Sequence, residues 1–259
     1  MPQNSHVRSL GRKATKRLVE YFDRAYIINL EDRPDRRREV TDEFRRLGID
    51  IPNRQVHFFT AQRETEKGGF SDAGTRGCFT SRRNVLEQAS RDKLRNVLVF
   101  EDDVSFRETD ASIQDQMLQE LSSAAWDIVF FGYLLPADNR LKGPLLEFPG
   151  GIMGAHFYGV NGTFVDTLLR FMRESESRPP GHPDGGPMSF DGALNHVRIQ
   201  TPSTRILLAV PNLAFQRSSR TDVHPTAVFD RVRFLEPFVS GVRAIKHKIR
   251  MAADKRRTR

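Results

Sequence analysis

The stretch that decides the fold is Asn96-Val97-Leu98-Val99-Phe100, which runs directly into Glu101-Asp102-Asp103-Val104. Five residues rich in β-branched and apolar side chains, bounded by charged segments, predict a short strand that is buried on both faces. Side chains alternate along an extended chain, so we expect Glu101 and Asp103 to point to one side and Asp102 to the other. The stretch therefore predicts a buried strand with three carboxylates at its carboxyl end.

Strand-like and helix-like segments alternate on both sides of this stretch, which predicts an α/β fold with a mostly parallel sheet flanked by helices. In such sheets, ligands bind outside the carboxyl ends of the strands. Irregular loops are predicted at 63–77, 134–154, 178–187 and 216–225. The other predicted strands are 25–30, 55–60, 126–132, 155–160 and 205–210, and the predicted helices begin near residues 32, 77, 109, 163 and 189.

The formal net charge of +8 is unevenly distributed along the 259 residues. Basic residues concentrate in 1–24 and 240–259, which leaves the middle of the chain slightly acidic. A duplex binder shows a broad basic face, so we expect no specific nucleic-acid partner. The basic ends either keep the protein soluble or attach it to an anionic membrane surface. The predicted organisation is a basic extension (1–24), an α/β domain (25–228) and a basic helix or tail (229–259).

A single cysteine, Cys78, excludes an intramolecular disulfide and a zinc site made of several thiolates. The longest apolar runs fall short of the roughly 18 residues that span a bilayer. No apolar segment follows the basic residues near the N-terminus, so no secretory signal is expected. These features favour a cytoplasmic location, with peripheral attachment to the inner membrane as an open alternative.

Several motifs, taken in order, resemble glycosyltransferase family 25, which includes bacterial lipooligosaccharide galactosyltransferases and related domains of procollagen galactosyltransferases. The resemblance runs from about residue 26 to 225. One departure is Arg82, which stands where many members have histidine. The motifs are Tyr26-Ile27-Ile28-Asn29-Leu30 with Arg33 and Arg36-Arg37, Gly77-Cys78 with Ser81, Leu98 to Val104, Asp191 after a proline-rich turn, and Pro211, Gln216, Ser219 and Asp222.

The resemblance implies a GT-A fold and inverting transfer of a sugar from a nucleotide-sugar donor to a hydroxyl group. Galactose from a UDP-sugar is the family's commonest donor, and a surface glycan such as lipopolysaccharide, or a lipid-linked acceptor, is the implied acceptor. A divalent cation held by carboxylates would stabilise the departing diphosphate. We expect Asp103 to bind this cation with help from Glu101, and all-oxygen ligands favour Mn²⁺ or Mg²⁺. The alternative is a solvated acidic strand end.

The predicted donor site lies where the first two strands end. Backbone and amide groups there can bind a uracil or ribose, and Asp102 can bind ribose or sugar hydroxyls. Arg33 and Arg36 are candidate diphosphate ligands, because guanidinium groups match phosphate oxygens; the alternative is a solvated helix start. The predicted donor-binding residues are Asn29, Leu30, Arg33, Arg36, Thr60, Ala61 and Asp102.

Inverting transfer needs a base that takes the proton from the acceptor hydroxyl, and Asp191 is the predicted base. It follows a proline- and glycine-rich turn and opens a short predicted helix, so simple helix capping is the alternative. Weaker candidates are His156, His182, Asp222 and His224.

Two other functions remain open from the sequence. One is a phosphohydrolase with an aspartate nucleophile, although Glu101 stands where that chemistry uses an aspartate. The other is a non-catalytic protein that binds a nucleotide sugar or a membrane surface.

Overall fold

A computed structural model of the chain describes residue 11 and residues 14–134 and 143–217. The strands are β1 Arg24–Asn29, β2 Val56–Thr60, β3 Asn96–Glu101, β4 Val104–Phe106, β5 Ile128–Gly132, β6 Leu145–Glu147, β7 Phe157–Asn161, β8 Ile206–Ala209 and β9 Ala214–Gln216. Among the described residues, a seven-stranded sheet has the order β2-β1-β3-β7-β5-β8-β6, and a small second sheet pairs β4 with β9. The helices are α1 (14–20), α2 Pro34–Arg46, α3 Ala73–Arg91, α4 Ala111–Ser123, α5 Gly162–Ser177 and α6 Phe190–Gln200.

Five strands of the large described sheet run in one direction, and β7 and β6 run against them. The predicted α/β fold with a mostly parallel sheet and flanking helices is confirmed. Strand β7 lies between β3 and β5 and is antiparallel to both. The carboxyl ends of β1, β2 and β3 therefore share one edge of the sheet, together with the amino end of β7.

The central strand β3 is buried on both faces, as its composition predicts. Val97 and Val99 pack in a core cluster with residues of α3, α5 and α6. Leu98 and Phe100 pack in a second cluster with residues of α1, α2 and α4. Each face of the sheet is thus covered by its own helical layer.

Packed aromatic rings anchor the end of β3, directly before the acidic triplet (Glu101, Asp102 and Asp103). The ring of Phe100 stacks on Phe157 with centroids 4.5 Å apart, and it meets Phe44 edge-on at 5.1 Å. All three rings are fully buried. Such pairs add about 0.5–1.5 kcal/mol beyond the burial of their area, so the end of β3 is held firmly.

Residues 14–22, which belong to the predicted basic extension (1–24), are largely helical and buried against the sheet. Helix α1 packs on the sheet, and Leu18, Val19 and Phe22 are buried in the core. A side chain at Gly159 would come within 2.5 Å of the Phe22 ring, so glycine is what allows this close approach. The predicted division at residue 25 thus has packed residues on both sides, while residues 229–259 lie outside the described residues.

Short or polar elements differ from the predictions. Strand β6 lies within the predicted loop 134–154, and β4 and β9 were not predicted, because three-residue strands carry almost no periodic signal. Helix α3 begins at Ala73 rather than Gly77; Asp72 is its N-cap and accepts a 2.7 Å hydrogen bond from the Thr75 amide. Helix α2 has Arg33 at the N-cap position rather than Asp32, which pairs with Arg63.

Across the part of the chain that the structure describes, no helix is both long enough and apolar enough to cross a membrane.

Candidate active site at the end of the central strand

The predicted donor-binding residues of β1 and β2 come together at the shared edge of the sheet. Asn29 is in register with Thr60, and the Ala61 amide donates a 2.9 Å hydrogen bond to the Asn29 carbonyl. Ile28, one residue earlier, is in register with Glu101 on β3. The ends of three neighbouring strands therefore bring these residues to the acidic triplet, with Leu30 directly after β1. Their role in donor binding stays a prediction.

The motif Gly77-Cys78 with Ser81 docks helix α3 against the segment that follows β2. The Ser81 hydroxyl accepts a 2.8 Å hydrogen bond from the Gln62 amide and donates to the Gly77 carbonyl at 2.6 Å. A side chain at Gly77 would lie 2.6 Å from the Gln62 carbonyl oxygen. Glycine and serine at these positions thus fix the backbone next to Ala61.

Asp102 is buried and bound by two predicted donor-site residues. The Asn29 side chain donates to Oδ2 at 2.8 Å, and Arg36 Nη1 of helix α2 donates to Oδ1 at 3.0 Å. Burial raises the pKa of the Asp102 carboxyl, and the hydrogen bonds and charge from Asn29 and Arg36 oppose that rise. Three predicted donor-binding residues are therefore in direct contact.

Glu101 is bound on the other face of the sheet. Arg82 of helix α3 donates to Oε1, and Gln216 of strand β9 donates to Oε2. Burial works against the charge of Arg82, but the adjacent carboxylate outweighs it and holds the pKa of the guanidinium above its ordinary value. Because Glu101 and Asp102 contact arginines from helices on opposite faces, the predicted alternation holds for this pair.

Asp103 differs from its two neighbours. Its side chain is buried, and Oδ1 has no hydrogen-bond partner among the described residues. Burial, together with the charges of Glu101 and Asp102, raises the pKa of the Asp103 carboxyl to about 7, although Arg36 and Arg217 oppose the shift. A buried oxygen without a donor is costly unless a proton or cation meets it.

Arg217 holds the backbone of the triplet in place. Its amide donates to the Asp103 carbonyl at 2.8 Å, and its guanidinium donates to the carbonyls of Asp102 at 2.8 Å and Val104 at 2.6 Å. Sequence reasoning missed this residue, because the predicted loop starting at residue 216 gave no sign of the β9 pairing with β4. The only signal was its position directly after Gln216, which belongs to the family-like motif.

The donor set around Asp103 fits a cation that arrives with a phosphate. Among the described residues, no group of three or more His, Cys, Asp or Glu side chains is arranged to hold a metal. Proteins hold Mg²⁺ with one or two carboxylates plus substrate phosphates and water, and Mn²⁺ takes similar oxygen ligands. Asp103 offers one unpartnered oxygen, whereas both oxygens of Glu101 accept protein hydrogen bonds. The metal roles of both residues stay predictions.

Arg33 is oriented differently from Arg36. It donates to its near neighbour Asp35 through Nε at 3.0 Å and Nη2 at 2.8 Å. This hydrogen bonding holds the pKa of the Asp35 carboxyl well below its usual range. Of the two predicted diphosphate ligands, Arg36 is the one seen to contact the acidic triplet, through Asp102 Oδ1.

Asp191 lies in the first turn of α6, but it is not the capping residue. Ser189 is the N-cap, and its hydroxyl accepts a 3.2 Å hydrogen bond from the Gly192 amide. Asp191 Oδ2 instead accepts from the Gly154 amide at 2.8 Å, and its charge contributes to the raised pKa of Arg82. Helix capping therefore does not explain Asp191; its role as base stays a prediction.

Of the weaker candidates, His156 and His182 are among the described residues and contact backbone groups, although the buried Nδ1 of His156 has no partner among those residues. His156 is fully buried, its Nε2 lies 3.3 Å from the Ala214 carbonyl oxygen, and burial lowers the pKa of its imidazole. His182 Nδ1 accepts a 3.1 Å hydrogen bond from the Asp184 amide. Asp222 and His224 lie outside the described residues.

Comparison with known proteins places these motifs in context. No family model matches the chain. A Drosophila melanogaster "glycosyltransferase 25 family member" is 28% identical over 148 residues, which are 51% of this chain and 24% of that protein. The human "inactive glycosyltransferase 25 family member 3" is 25% identical over 150 residues, 51% of this chain and 25% of that protein. The crystal structure of mouse xyloside xylosyltransferase 1 in its apo form aligns with a TM-score of 0.36 at 10% identity, covering 76% of this chain and 78% of that one.

The relatives confirm the resemblance of this chain to glycosyltransferase family 25. Their matched segments span about half of this chain but only about a quarter of the relatives' own length. The likeness to the xylosyltransferase is too weak to bear on function.

Proposed function

We propose that the protein is a glycosyltransferase that moves a sugar from a nucleotide-diphosphate donor to a hydroxyl group of a glycan. The observation that carries this proposal is Asp103, whose buried Oδ1 has no partner among the described residues, at the carboxyl end of the central strand. The similarity to glycosyltransferase 25 family members supports the same function.

In this proposal, Asp103 holds a divalent cation, Mn²⁺ or Mg²⁺, which when bound neutralises charge on the departing diphosphate. The shared edge beside it holds the donor. Asn29 and Arg36 fix the Asp102 carboxylate, and the segment at Thr60 and Ala61 lies next to Asn29. A preorganised set of fixed dipoles needs no rearrangement as charge develops.

Asp191 is the base in the same proposal. It takes the proton from the acceptor hydroxyl as that oxygen attacks the anomeric carbon from the face opposite the diphosphate, so the configuration inverts. The hydrogen bond from the Gly154 amide orients its carboxylate without supplying a second proton-accepting group. Its position on a rigid helix start favours such a positioned base.

Donor and acceptor identity belong to the proposal as well. UDP-galactose is the first donor to test, because galactose is the commonest donor of the family, and a lipopolysaccharide-type surface glycan is the first acceptor. A cytoplasmic location and attachment to a membrane through the basic ends stay predictions, since the C-terminal basic residues lie outside the described residues.

The test is a donor panel with the full-length protein. UDP-galactose, UDP-glucose, UDP-N-acetylglucosamine and GDP-mannose are each incubated with Mn²⁺, Mg²⁺ or EDTA, and release of the nucleoside diphosphate is measured with and without glycan acceptors. We expect metal-dependent release from one preferred donor, increased by a suitable acceptor. Release that is equal in EDTA contradicts the metal role, and absence of donor binding and release contradicts the proposal as a whole.

A non-catalytic nucleotide-sugar binding protein is the second candidate, because a relative with similar identity is named inactive. The same panel separates the two functions when binding is measured by calorimetry. Metal-dependent donor binding with no release, across the panel and with acceptors present, favours this second function.

A further inference from the structure

The three carboxylates of the acidic triplet are partnered unequally. Asp102 contacts Asn29 and Arg36, and Glu101 contacts Arg82 and Gln216. Only Asp103 keeps a buried oxygen that no described residue binds. All three residues are acidic, so it is the placement of their hydrogen-bond partners, arginines above all, that leaves Asp103 as the carboxylate able to bind a cation.

Arg82 is held rigidly on its side of the sheet. Its side chain is 7% exposed, and Nη1 donates to the Cys78 carbonyl one helical turn earlier at 3.2 Å. The guanidinium carbon lies 5.2 Å from the centre of the Phe190 ring of α6. A guanidinium fixed by its own helix and a neighbouring helix can hold a carboxylate in one rotamer at little further entropic cost.

The Glu101 carboxylate lies near enough to Asp103 to affect a cation bound there. Gln216, which holds Glu101 Oε2, directly precedes Arg217, whose amide donates to the Asp103 carbonyl at 2.8 Å, so the Glu101 carboxylate lies beside Asp103. The Glu101 side chain is also 25% exposed, which leaves room for rotation once its partners are removed. Without Arg82, the same carboxylate would offer a second oxygen ligand to a cation at Asp103.

We propose that Arg82 is a positioning residue that withholds Glu101 from the cation, so that Asp103 is the single protein carboxylate bound to it. This inference rests on the proposed function, because it takes the cation site at Asp103 as given. A cation with one protein carboxylate keeps positions open for diphosphate oxygens and keeps more of its charge for them. A second carboxylate would tighten metal binding to the free protein and weaken the attraction for the diphosphate.

The experiment is a manganese titration by calorimetry on the full-length protein. The proteins are wild type, Arg82→Met, Glu101→Gln, the double variant, and Asp103→Asn. We expect Arg82→Met to bind Mn²⁺ about tenfold more tightly than wild type, the scale on which outer-shell partners change metal affinity. Glu101→Gln and the double variant should stay within about twofold of wild type, because neither carries a released carboxylate.

A purely structural role for Arg82 predicts a different pattern, namely a lower melting temperature with unchanged or weaker manganese affinity. That pattern in a folded Arg82→Met protein overturns the inference, as does a tenfold loss of affinity in Glu101→Gln. Unchanged affinity in Asp103→Asn instead overturns the cation site of the proposed function, and the inference with it.

Gln216→Leu covers the case in which Arg82→Met does not fold. Gln216 lies on the short strand β9 and holds the other oxygen of Glu101. Freeing that oxygen should tighten Mn²⁺ binding about threefold, a smaller effect of the same kind. Adding Glu101→Gln should remove the gain, and a gain that persists overturns the inference.

Discussion

Asp102 and Asp103 are neighbours in sequence and are almost equally buried, with 6% and 7% of each residue exposed. Asp102 meets two side-chain donors, Asn29 and Arg36, while Asp103 Oδ1 meets none among the described residues. Burial alone therefore does not separate a carboxylate with a full set of protein partners from a candidate metal ligand. The partner set does, because an unpartnered buried carboxylate stays costly until a proton or cation neutralises it.

The largest expected effect is on turnover in Asp103→Asn. We expect sugar transfer to fall at least about 10³-fold, since the variant loses the cation that stabilises the leaving diphosphate. The measurement is diphosphate release from the preferred donor at saturating Mn²⁺. Asp42→Asn on helix α2, where the carboxylate is exposed, is the matched control and should stay within about twofold of wild type. A comparable loss of turnover in Asp103→Asn and Asp42→Asn would contradict the special role of Asp103.

Asp191→Asn should lower turnover by about 10²–10⁴-fold with little change in donor affinity, the usual contribution of a positioned base. Asparagine keeps the size of the side chain and can still accept the hydrogen bond from Gly154. Single-turnover kinetics together with donor titration separate the two effects. A collapse of donor binding instead would assign Asp191 to the donor site.

Arg36→Met tests how much the side-chain partners of Asp102 contribute to stability. Removing one partner of a buried ion pair leaves Asp102 with an uncompensated charge, so we expect a loss of about 3–5 kcal/mol in the free energy of unfolding. Chemical denaturation monitored by circular dichroism measures it. Arg45→Met on the same helix, where the ion pair is exposed, should change stability by less than about 0.5 kcal/mol. Equal effects would mean that the contact with Asp102 contributes nothing.

The pH dependence of stability tests the effect of the unpartnered carboxyl of Asp103. The folded pKa of Asp103 is raised to about 7, so in metal-free protein the unfolded chain loses this proton first as pH rises. The contribution of Asp103 to the free energy of unfolding therefore decreases between about pH 4 and pH 7. Asp103→Asn should remove this decrease and gain about 1–3 kcal/mol over wild type at pH 7.5, with no gain near pH 4.

Denaturation series at both pH values, each with EDTA, measure that gain. Addition of Mn²⁺ at pH 7.5 should stabilise wild type and leave Asp103→Asn unaffected, which reverses or narrows the difference. A gain of equal size at both pH values would show that the carboxyl proton is not its cause.

Much of the fold follows from the sequence, because the hydrophobic period of a long segment shows whether it is a helix or a strand. The strand at 96–101 and helix α2 appear in the structure close to their predicted limits. The antiparallel direction of β7 was not predictable, since a buried apolar run looks the same whichever way it crosses the sheet. Strands β4 and β9 depend on pairing with each other and have too few residues to show a pattern.

Some features of the candidate site were likewise predictable from the sequence, and others were not. The position of the acidic triplet at a strand end, and its closeness to Asn29 and Thr60, follow from strand order in a parallel sheet. The pairing of Glu101 with Arg82 does not, because a single arginine in an amphipathic helix gives no sign of which side it occupies. The unpartnered oxygen of Asp103 is a property of the folded molecule and becomes visible only when every neighbour is placed.

The most direct test of the central claim is Mn²⁺ binding, followed by electron paramagnetic resonance without substrate, in wild type, Asp102→Asn and Asp103→Asn. The account predicts that Asp103→Asn loses Mn²⁺ binding by about 100-fold or more, while folded Asp102→Asn binds within a few-fold of wild type. Wild-type affinity in Asp103→Asn, with the loss falling on Asp102→Asn, would contradict it.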